Sequence, residues 1–355
     1  MSFPAKDLIL GAAELVDAGL GGLFPASSDD DGRAGSLTVF LFHRFFLDEE
    51  LAPPMGVFPH ERVSVSRFED LIRGLKAQGF SFVLPRDVAA GRHIGKRAVM
   101  ITVDDGYADN VRVLPVLERH DAKAAVFICP ANIVGNKRFW PDALHIGAMR
   151  EGWRLARTRR QRRALTKLPC SAAERRLVDW FGADILTPSG ALDRALSVDE
   201  LRTMARSPRV EFGCHGYDHT VLAPRSDGFV LDQLRRSRSF FEQVIGYAPA
   251  AISYPNGVYS DALLGLCRDF GFKTGITIEA RGNRLGPQTA PQDMLALGRF
   301  TVSGTRRIDR QIHSTQVRWS VMRALYGLKT TKVAAGAEPH RVPGPAPRET
   351  TVERI

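Results

Sequence analysis

Cysteine is scarce and unpatterned in this 355-residue chain: Cys129, Cys170, Cys214 and Cys267 are scattered, with none of the close pairs that hold metals or run redox chemistry. That argues against a disulfide framework, and with three of the four within or beside apolar segments they read as buried free thiols. Nothing demands an oxidising compartment. Long hydrophobic runs are also missing, and none approaches the ~20 residues of a membrane span. Residues 1–22 have no basic stretch ahead of their apolar part, which Glu14 and Asp17 interrupt, so no secretory signal is expected. The expected location is cytoplasmic, with the inner membrane face as a place of peripheral attachment. Internal repeats, zinc-finger spacings, heptad-linked basic regions and aromatic RNA-binding motifs are absent, and no nucleic-acid partner is expected.

What the chain does have is an ordinary apolar fraction and an uneven charge. It is 44% hydrophobic and 25% charged, enough at this length for one α/β barrel or for one domain with appendages. The formal net charge is +10. Arg150 to Arg176 holds ten Lys/Arg against two Glu, a local +8. Arg299 to the C-terminus holds eleven against four acids, a local +7, leaving −5 for the remainder. Two basic attachments thus sit on a mildly acidic body. They suit an anionic partner such as an acidic glycan, a pyrophosphate-linked lipid or an anionic membrane surface; the alternative is a solvated helical face.

Residues 1–35 read as an amphipathic segment (Leu8, Leu10, Ala12, Leu15 and Leu20) running into an acidic Gly/Ser linker. Strand-like runs follow at Thr38–Phe42, Phe80–Leu84, Ala98–Val103, Ala124–Cys129, Arg209–Gly213, Ala250–Tyr254 and Thr274–Ile278. Helical patterns at Ser66–Gln78, Asn110–His120, Leu231–Ile245 and Ser260–Phe270 lie between them. The first starts on a Ser cap with Glu69 three residues on and stops at Gly79. Alternation predicts parallel pairing with right-handed crossovers, and continuously apolar strands predict burial on both faces, as in a barrel. The barrel spans 36–302. Within it, residues 137–208 are Arg-rich, carry Trp140, Trp153 and Trp180, and read as a helical insertion between two strands. Residues 303–330 read as a basic amphipathic helix, and 331–355, with Pro343, Pro345 and Pro347, as a disordered tail.

Chemistry in α/β barrels gathers at the C-terminal ends of strands. His43, Asp104, Asp105, His215 and Asn256 stand at four such ends. Thr102-Val103-Asp104-Asp105-Gly106-Tyr107 closes one apolar run, and His215-Gly216-Tyr217-Asp218-His219 closes another about 110 residues on. Together they offer one carboxylate ligand, two imidazoles and a spare carboxylate. A hydrolytic zinc site needs that set: three ligands, an open position and a base beside it. Two Asp before Gly also make an ordinary turn, and a lone His is more often structural. Tyr254-Pro255-Asn256-Gly257-Val258-Tyr259, third in order, argues against coincidence.

The three segments resemble the first three motifs of the polysaccharide deacetylases, the NodB-homology or carbohydrate esterase family 4 enzymes. Leu41-Phe42-His43-Arg44 resembles the element that opens the barrel in a subgroup with an N-terminal Tyr/Phe-His motif. The resemblance covers roughly 36–302 around the insertion. It implies a distorted (β/α)7 barrel, a divalent metal, usually zinc, and removal of N- or O-acetyl groups from sugars. It also implies Asp105, His215 and His219 as metal ligands, Asp104 as general base and the Asn256 backbone N–H as an oxyanion donor. Three departures follow. The late His that usually serves as general acid is missing, since only His313 and His340 come after His219; His43 is the candidate acid, the alternative being a structural His. Gly216 replaces the usual Ser or Thr. Ser253 or Ile252 stands where an Arg usually orients the base, which makes Arg299 the candidate for the missing charge. Tyr254, Pro255, Asn256, Gly257, Tyr259, Trp140 and Arg299 are candidate substrate contacts, with Trp140 a wall for a sugar face. Asp109-Asn110 reads as a helix cap.

The expected function is a metal-dependent deacetylase acting on an acetylated oligo- or polysaccharide of the bacterial surface or its lipid-linked precursor. Two alternatives are an amidohydrolase of the same fold acting on a small non-sugar amide, and a non-catalytic glycan-binding scaffold that keeps the metal site. The intact Asp104 argues against the scaffold, because a binder needs no base. Asp-His-His also suits cobalt, nickel or iron.

Overall fold

The computed structural model describes residues 35–51, 62–93, 97–316 and 332–333. The amphipathic segment expected before residue 35 and the tail expected from 334 lie outside them. Of the helix expected over 303–330, the described part is Ile308–Gln316. Among the described residues no helix is long and apolar enough to cross a membrane.

The strands are β1 (Gly35–Phe42), β2 (Arg44–Phe46), β3 (Arg62–Ser64), β4 (Ser81–Phe82), β5 (Arg97–Val103), β6 (Ala124–Ile128), β7 (Val210–Cys214), β8 (Ala251–Ser253), β9 (Thr274–Ile276), β10 (Asn283–Leu285) and β11 (Phe300–Thr301). β1, β5, β6, β7, β8 and β9 pair in parallel in that order. The sheet curls until the segment leading into β11 bridges its two ends. Leu297 N donates to Gly275 O at 2.8 Å and Leu297 O accepts from Thr277 N at 2.8 Å, while Phe300 pairs in parallel with Phe40. The fold is a distorted (β/α)7 barrel of NodB type.

The seventh stave is not the one the apolar pattern suggests. The run at 80–84 contributes only β4, a two-residue attachment at the start of β5. The closing stave is the segment into β11, too short for a periodicity argument. β10 runs antiparallel along the start of β1, and β2 and β3 form a separate ribbon.

Side chains alternate across each strand, and this sorts the barrel into layers. Val39, Met100, Phe127, Ala251, Ile276 and Leu297 meet in one buried cluster inside the barrel. The intervening residues, among them Phe40, Phe42, Val99, Ile101, Val126 and Phe212, pack outward beneath the helices. Gly213 leaves room for the Phe127 ring, which a Cβ there would meet at 2.4 Å. Burying a ring such as Phe127 contributes about 1.5–3 kcal/mol. Continuing the alternation, Thr102 and Asp104, Ser253 and Arg299 fall on the inward side at the C-terminal mouth, above the apolar layer.

The helices start and stop near their sequence signals, with instructive differences. Val65–Ala77 is capped by Ser64, whose Oγ accepts from Arg67 N at 3.2 Å; Ser66 and Glu69 are not its cap. Glu69 instead meets His120 and Arg119. The pattern over 110–120 divides into a 3-10 turn, Ala108–Val113, and a short helix, Leu114–Arg119. Pro115 cannot donate to the preceding turn, and Asp109 and Asn110 are engaged elsewhere. Asp227–Ile245 and Asp261–Phe270 are capped by Ser226 and Ser260. The β6–β7 connection contains helices Trp140–Arg150, Leu155–Thr166, Cys170–Phe181 and Val198–Ala205. The first three enclose their own core, including Trp140, Leu144, Leu165, Leu177 and Phe181. All four cysteines are buried and free.

Candidate active site

Asp104 ends β5 on the inward face and is 2% exposed. Such a carboxylate needs partners, and it has them. Arg299, 1% exposed, donates Nη1 to Oδ1 at 2.9 Å and Nη2 to Oδ2 at 2.5 Å. Ser253 donates Oγ–H to Oδ2 at 3.1 Å and accepts from Arg299 Nη2 at 3.0 Å. Thr102 Oγ1 accepts from Arg299 Nη1 at 3.2 Å and donates to Phe40 O. Burial pushes the Asp104 carboxyl up, but Arg299 and then His215 outweigh it and hold it below the ordinary carboxylate range. The side chain is ionised and fixed. Arg299 thus supplies a cation against Asp104, and the Ser253 hydroxyl bridges the two. This corrects Arg299 as a substrate contact: it lies enclosed beneath Asp104.

Asp105 turns the other way. Its φ of 74° is left-handed and ends the strand, and Gly106 follows at 80°. His215 lies one residue past β7. Its Nδ1 faces Ser253 O at 2.7 Å, and because a carbonyl only accepts, Nδ1 carries the proton and Nε2 presents its lone pair. His219 is reached by a tight turn in which Asp218 Oδ1 accepts from Thr220 N and Gln233 Oε1 accepts from Tyr217 N. Gly216 and His219 have φ of 72° and 66°. The positive φ accounts for glycine at 216, since a side chain there would be strained. Left-handed non-glycine residues at Asp105, His219 and Asn256 concentrate backbone strain at one mouth of the barrel.

These turns bring one atom each of Asp105, His215 and His219 within 4.8 Å of one another. Asp105 Oδ1 is 3.4 Å from Nε2 of both histidines, and it is buried without a hydrogen-bond partner. An orphaned carboxylate oxygen facing two imidazole nitrogens fits a divalent cation. The electrostatics fit at Asp105 and His219. Burial raises the Asp105 carboxyl, but the facing His219, His215 and His43 hold it far below its usual range. Burial drives His219 down to about 4, so it is neutral at pH 7, as a ligand must be. Burial would also lower His215, but Asp104 and Asp105 outweigh it and raise it, so without a cation this ring is drawn toward its protonated form and a cation must displace that proton. The Asp105 and His219 side chains retain 13% and 14% exposure against 2% for His215, so the cluster opens on that side.

His43 follows β1, half-buried and near enough for its charge to act on Asp104, Asp105 and His219. Asp109 and Asn110 hold its segment. Asn110 Nδ2 donates to His43 O at 2.9 Å, Asp109 Oδ1 accepts from Phe45 N at 3.1 Å, and Asp109 Oδ2 accepts from Arg44 Nε at 2.7 Å. This corrects the helix-cap reading. Arg44 lies over the Tyr107 ring at 4.0 Å and bonds Leu192 O of the insertion. Tyr107 in turn donates to Asp142 at 2.8 Å. The pattern of residues carried no sign of this lattice, because its members are 35 to 148 positions apart.

Other substrate-contact candidates separate. Asn256 is exposed at the tip of the turn after β8, with φ of 55°. Pro255 packs toward Gly216, whose added Cβ would stand 3.5 Å from it, and Gly257 sits against Ile278. Tyr254 is fully buried, with its hydroxyl on Leu295 O, and Tyr259 stacks on it and bonds Glu279. Trp140, 6% exposed, belongs to the insertion's core. Tyr254 and Trp140 are therefore packing residues, because the mouth-facing alternation of β8 skips the one and the insertion encloses the other.

Comparison with known proteins bears on the family and the fold. The family model described as polysaccharide deacetylase matches residues 91–275. YxkH of Bacillus subtilis (strain 168), whose name places it among polysaccharide deacetylases, is 22% identical over 247 residues, 68% of this chain and 66% of its own length. The match thus spans just under two thirds of that relative. The Streptococcus pyogenes deacetylase PplD, solved with acetate, superposes with a TM-score of 0.52 at 17% identity, covering 79% of this chain and 97% of PplD. IcaB from Ammonifex degensii gives 0.53 at 19%, covering 80% and 98%. With a family model over more than half its length and the motif residues gathered at one mouth of a NodB-type barrel, the chain belongs to the polysaccharide deacetylase family.

Proposed function

We propose that the protein is a metal-dependent hydrolase that removes acetyl groups, N-acetyl foremost, from a bacterial surface polysaccharide or its lipid-linked precursor. The observation that carries this reading is the Asp105–His215–His219 cluster with Asp104 held beside it by Arg299 and Ser253. Zinc, held by those three residues, would polarise the acetyl carbonyl and acidify water. Asp104 takes the proton from the attacking water. Its fixed orientation matters, since proton transfer requires hydrogen-bond reach. The backbone N–H of Asn256 steadies the oxyanion at the mouth. His43, on the segment clamped by Asp109 and Asn110, protonates the leaving amine. The turns at Gly216 and Pro255–Gly257 border the acetylated sugar.

Arg299 also bears on the scaffold alternative. The clamp fixes Asp104, which is outside the ligand cluster, in one orientation beside it, as a base requires and a glycan scaffold does not. The test is acetate and free-amine release from N-acetylated and O-acetylated oligosaccharides and from lipid-linked acetylated glycans by zinc-reconstituted protein. Amine appearing in step with acetate supports N-deacetylation. Acetate without amine moves the reading to ester hydrolysis, and neither product from any glycan, with metal stoichiometrically bound, overturns it.

A further inference from the structure

The site absorbs the barrel mouth but leaves the insertion's charge unused. Between Gly152 and Ala173 the chain has seven Lys/Arg and no Asp or Glu. Most of this segment is the helix Leu155–Thr166. Thr158 and Leu165 are its buried residues, and Leu165 anchors it in the insertion core. On the opposite side Arg159, Arg160, Arg163 and Lys167 line a surface groove with Ala156 and Ala164. At about 100° per residue these six fall on one stripe.

The stripe carries an electrostatic cost. Arg159 and Arg163, Arg160 and Arg163, and Arg163 and Lys167 are like charges at helical neighbour spacing, which disfavours the helix. Arg154 and Arg157 crowd its positive N-terminal end, where no acid offsets the macrodipole. An anionic surface would relieve both effects. Apolar surface is exposed near the start of this helix: Trp153, just before it, is partly exposed with the Arg157 guanidinium 3.7 Å over its ring, and Met149, on the preceding helix, is 49% exposed. Cations with an exposed methionine and a tryptophan at one end are what a peripheral membrane surface requires.

The stripe is also tied to the candidate active site. Cys170 N donates to Thr220 Oγ1 at 2.8 Å, and Thr220 follows His219; Arg225 Nη2 donates to Lys167 O at 2.7 Å. We propose that the outward face of Leu155–Thr166, with Met149 and Trp153, is a docking surface for an anionic phospholipid bilayer. It holds the barrel mouth beside lipid-borne glycan. The lipid-borne substrate rests on the function proposed above, whereas the docking surface does not.

The experiment is co-sedimentation of the full chain with phosphatidylcholine vesicles and with vesicles also containing phosphatidylglycerol, at low and high salt. Expected is binding to the anionic vesicles only, weakened by salt, and lost at least about 100-fold in Arg159→Glu/Arg160→Glu/Arg163→Glu. The neutral Arg159→Gln/Arg160→Gln/Arg163→Gln serves if the reversal fails to fold. Wild-type partitioning by a folded triple variant overturns the proposal. So does failure of the wild type to bind anionic vesicles, or retention of a soluble polyphosphate with no vesicle binding. Acetate release from a soluble acetylated oligosaccharide is measured in parallel and is expected unchanged. Its absence in the wild type would count against the enzymatic reading and leave the docking result standing on its own.

Discussion

Replacing Arg299 by Met strips the buried, 2% exposed Asp104 carboxylate of two charge-assisted hydrogen bonds and leaves it the Ser253 hydroxyl and the His215 ring 3.7 Å away. Breaking a buried ion pair from one side costs about 3–5 kcal/mol, because the remaining charge is uncompensated. Asp104→Asn leaves the Arg299 guanidinium in the same position and costs a similar amount. Independent effects would sum to about 6–10 kcal/mol in the double variant. A shared network predicts that Arg299→Met/Asp104→Asn is no less stable than either single variant, a coupling of about 3 kcal/mol or more. Urea denaturation of the metal-free proteins at pH 7.5 measures this. The pH dependence carries a sign of its own. In the wild type the depressed Asp104 carboxyl contributes stability that is full above the unfolded value, about 3.9, and is lost as pH falls through the lower folded value. Arg299→Met removes the largest of the influences that lower the folded value, while His215 and His43 remain, so the folded value moves up toward the unfolded one and the loss of stability on acidification shrinks. Single-variant effects that add within about 0.5 kcal/mol would refute the Arg299–Asp104 unit.

Further outcomes follow from the same geometry. His43→Ala is expected to lower kcat by about 10²–10⁴ with metal stoichiometry unchanged, read by acetate release and metal analysis; unaltered kcat would return His43 to a structural role. Chelation is expected to lower the melting temperature, and restoring zinc at a hundred times its Kd to return about 2.7 kcal/mol, whereas Asp105→Ala should lose this response. Gly216→Ser, which would restore the hydroxyl usual in the family, is expected to destabilise by about 1–2 kcal/mol because φ there is 72°; an unchanged urea midpoint would show that the turn can relax.

The barrel was legible because both its rhythms are local. Continuous apolar strands and Ser-capped helices need only neighbouring residues, and ligand-type side chains at strand ends need only the strand. What escaped was non-local or very short. The closing stave is built from one bridge at Leu297 and two residues of β11, so it has no period to detect. Asp109 and Asn110 look like a cap because caps use those residues, yet their partners are His43, Arg44 and Phe45 across the barrel mouth. Trp140 and Tyr254 were attractive as sugar contacts by residue type alone, and burial decides against them. Arg299 was within reach because the resembled family's third motif usually carries an arginine that this chain lacks, and Leu297-Gly298-Arg299-Phe300 offers one in the next segment. Its bidentate grip on Asp104 is a property of the closed barrel.

The central claim, that this mouth hydrolyses acetyl groups with Asp104 as base, is tested most directly by Asp104→Asn. Zinc-loaded wild type and variant are matched for metal content and incubated with an acetylated glycan that the wild type deacetylates. The account predicts acetate release falling by about 10²–10⁴ with bound zinc unchanged. Acetate release at the wild-type rate from the variant would contradict it.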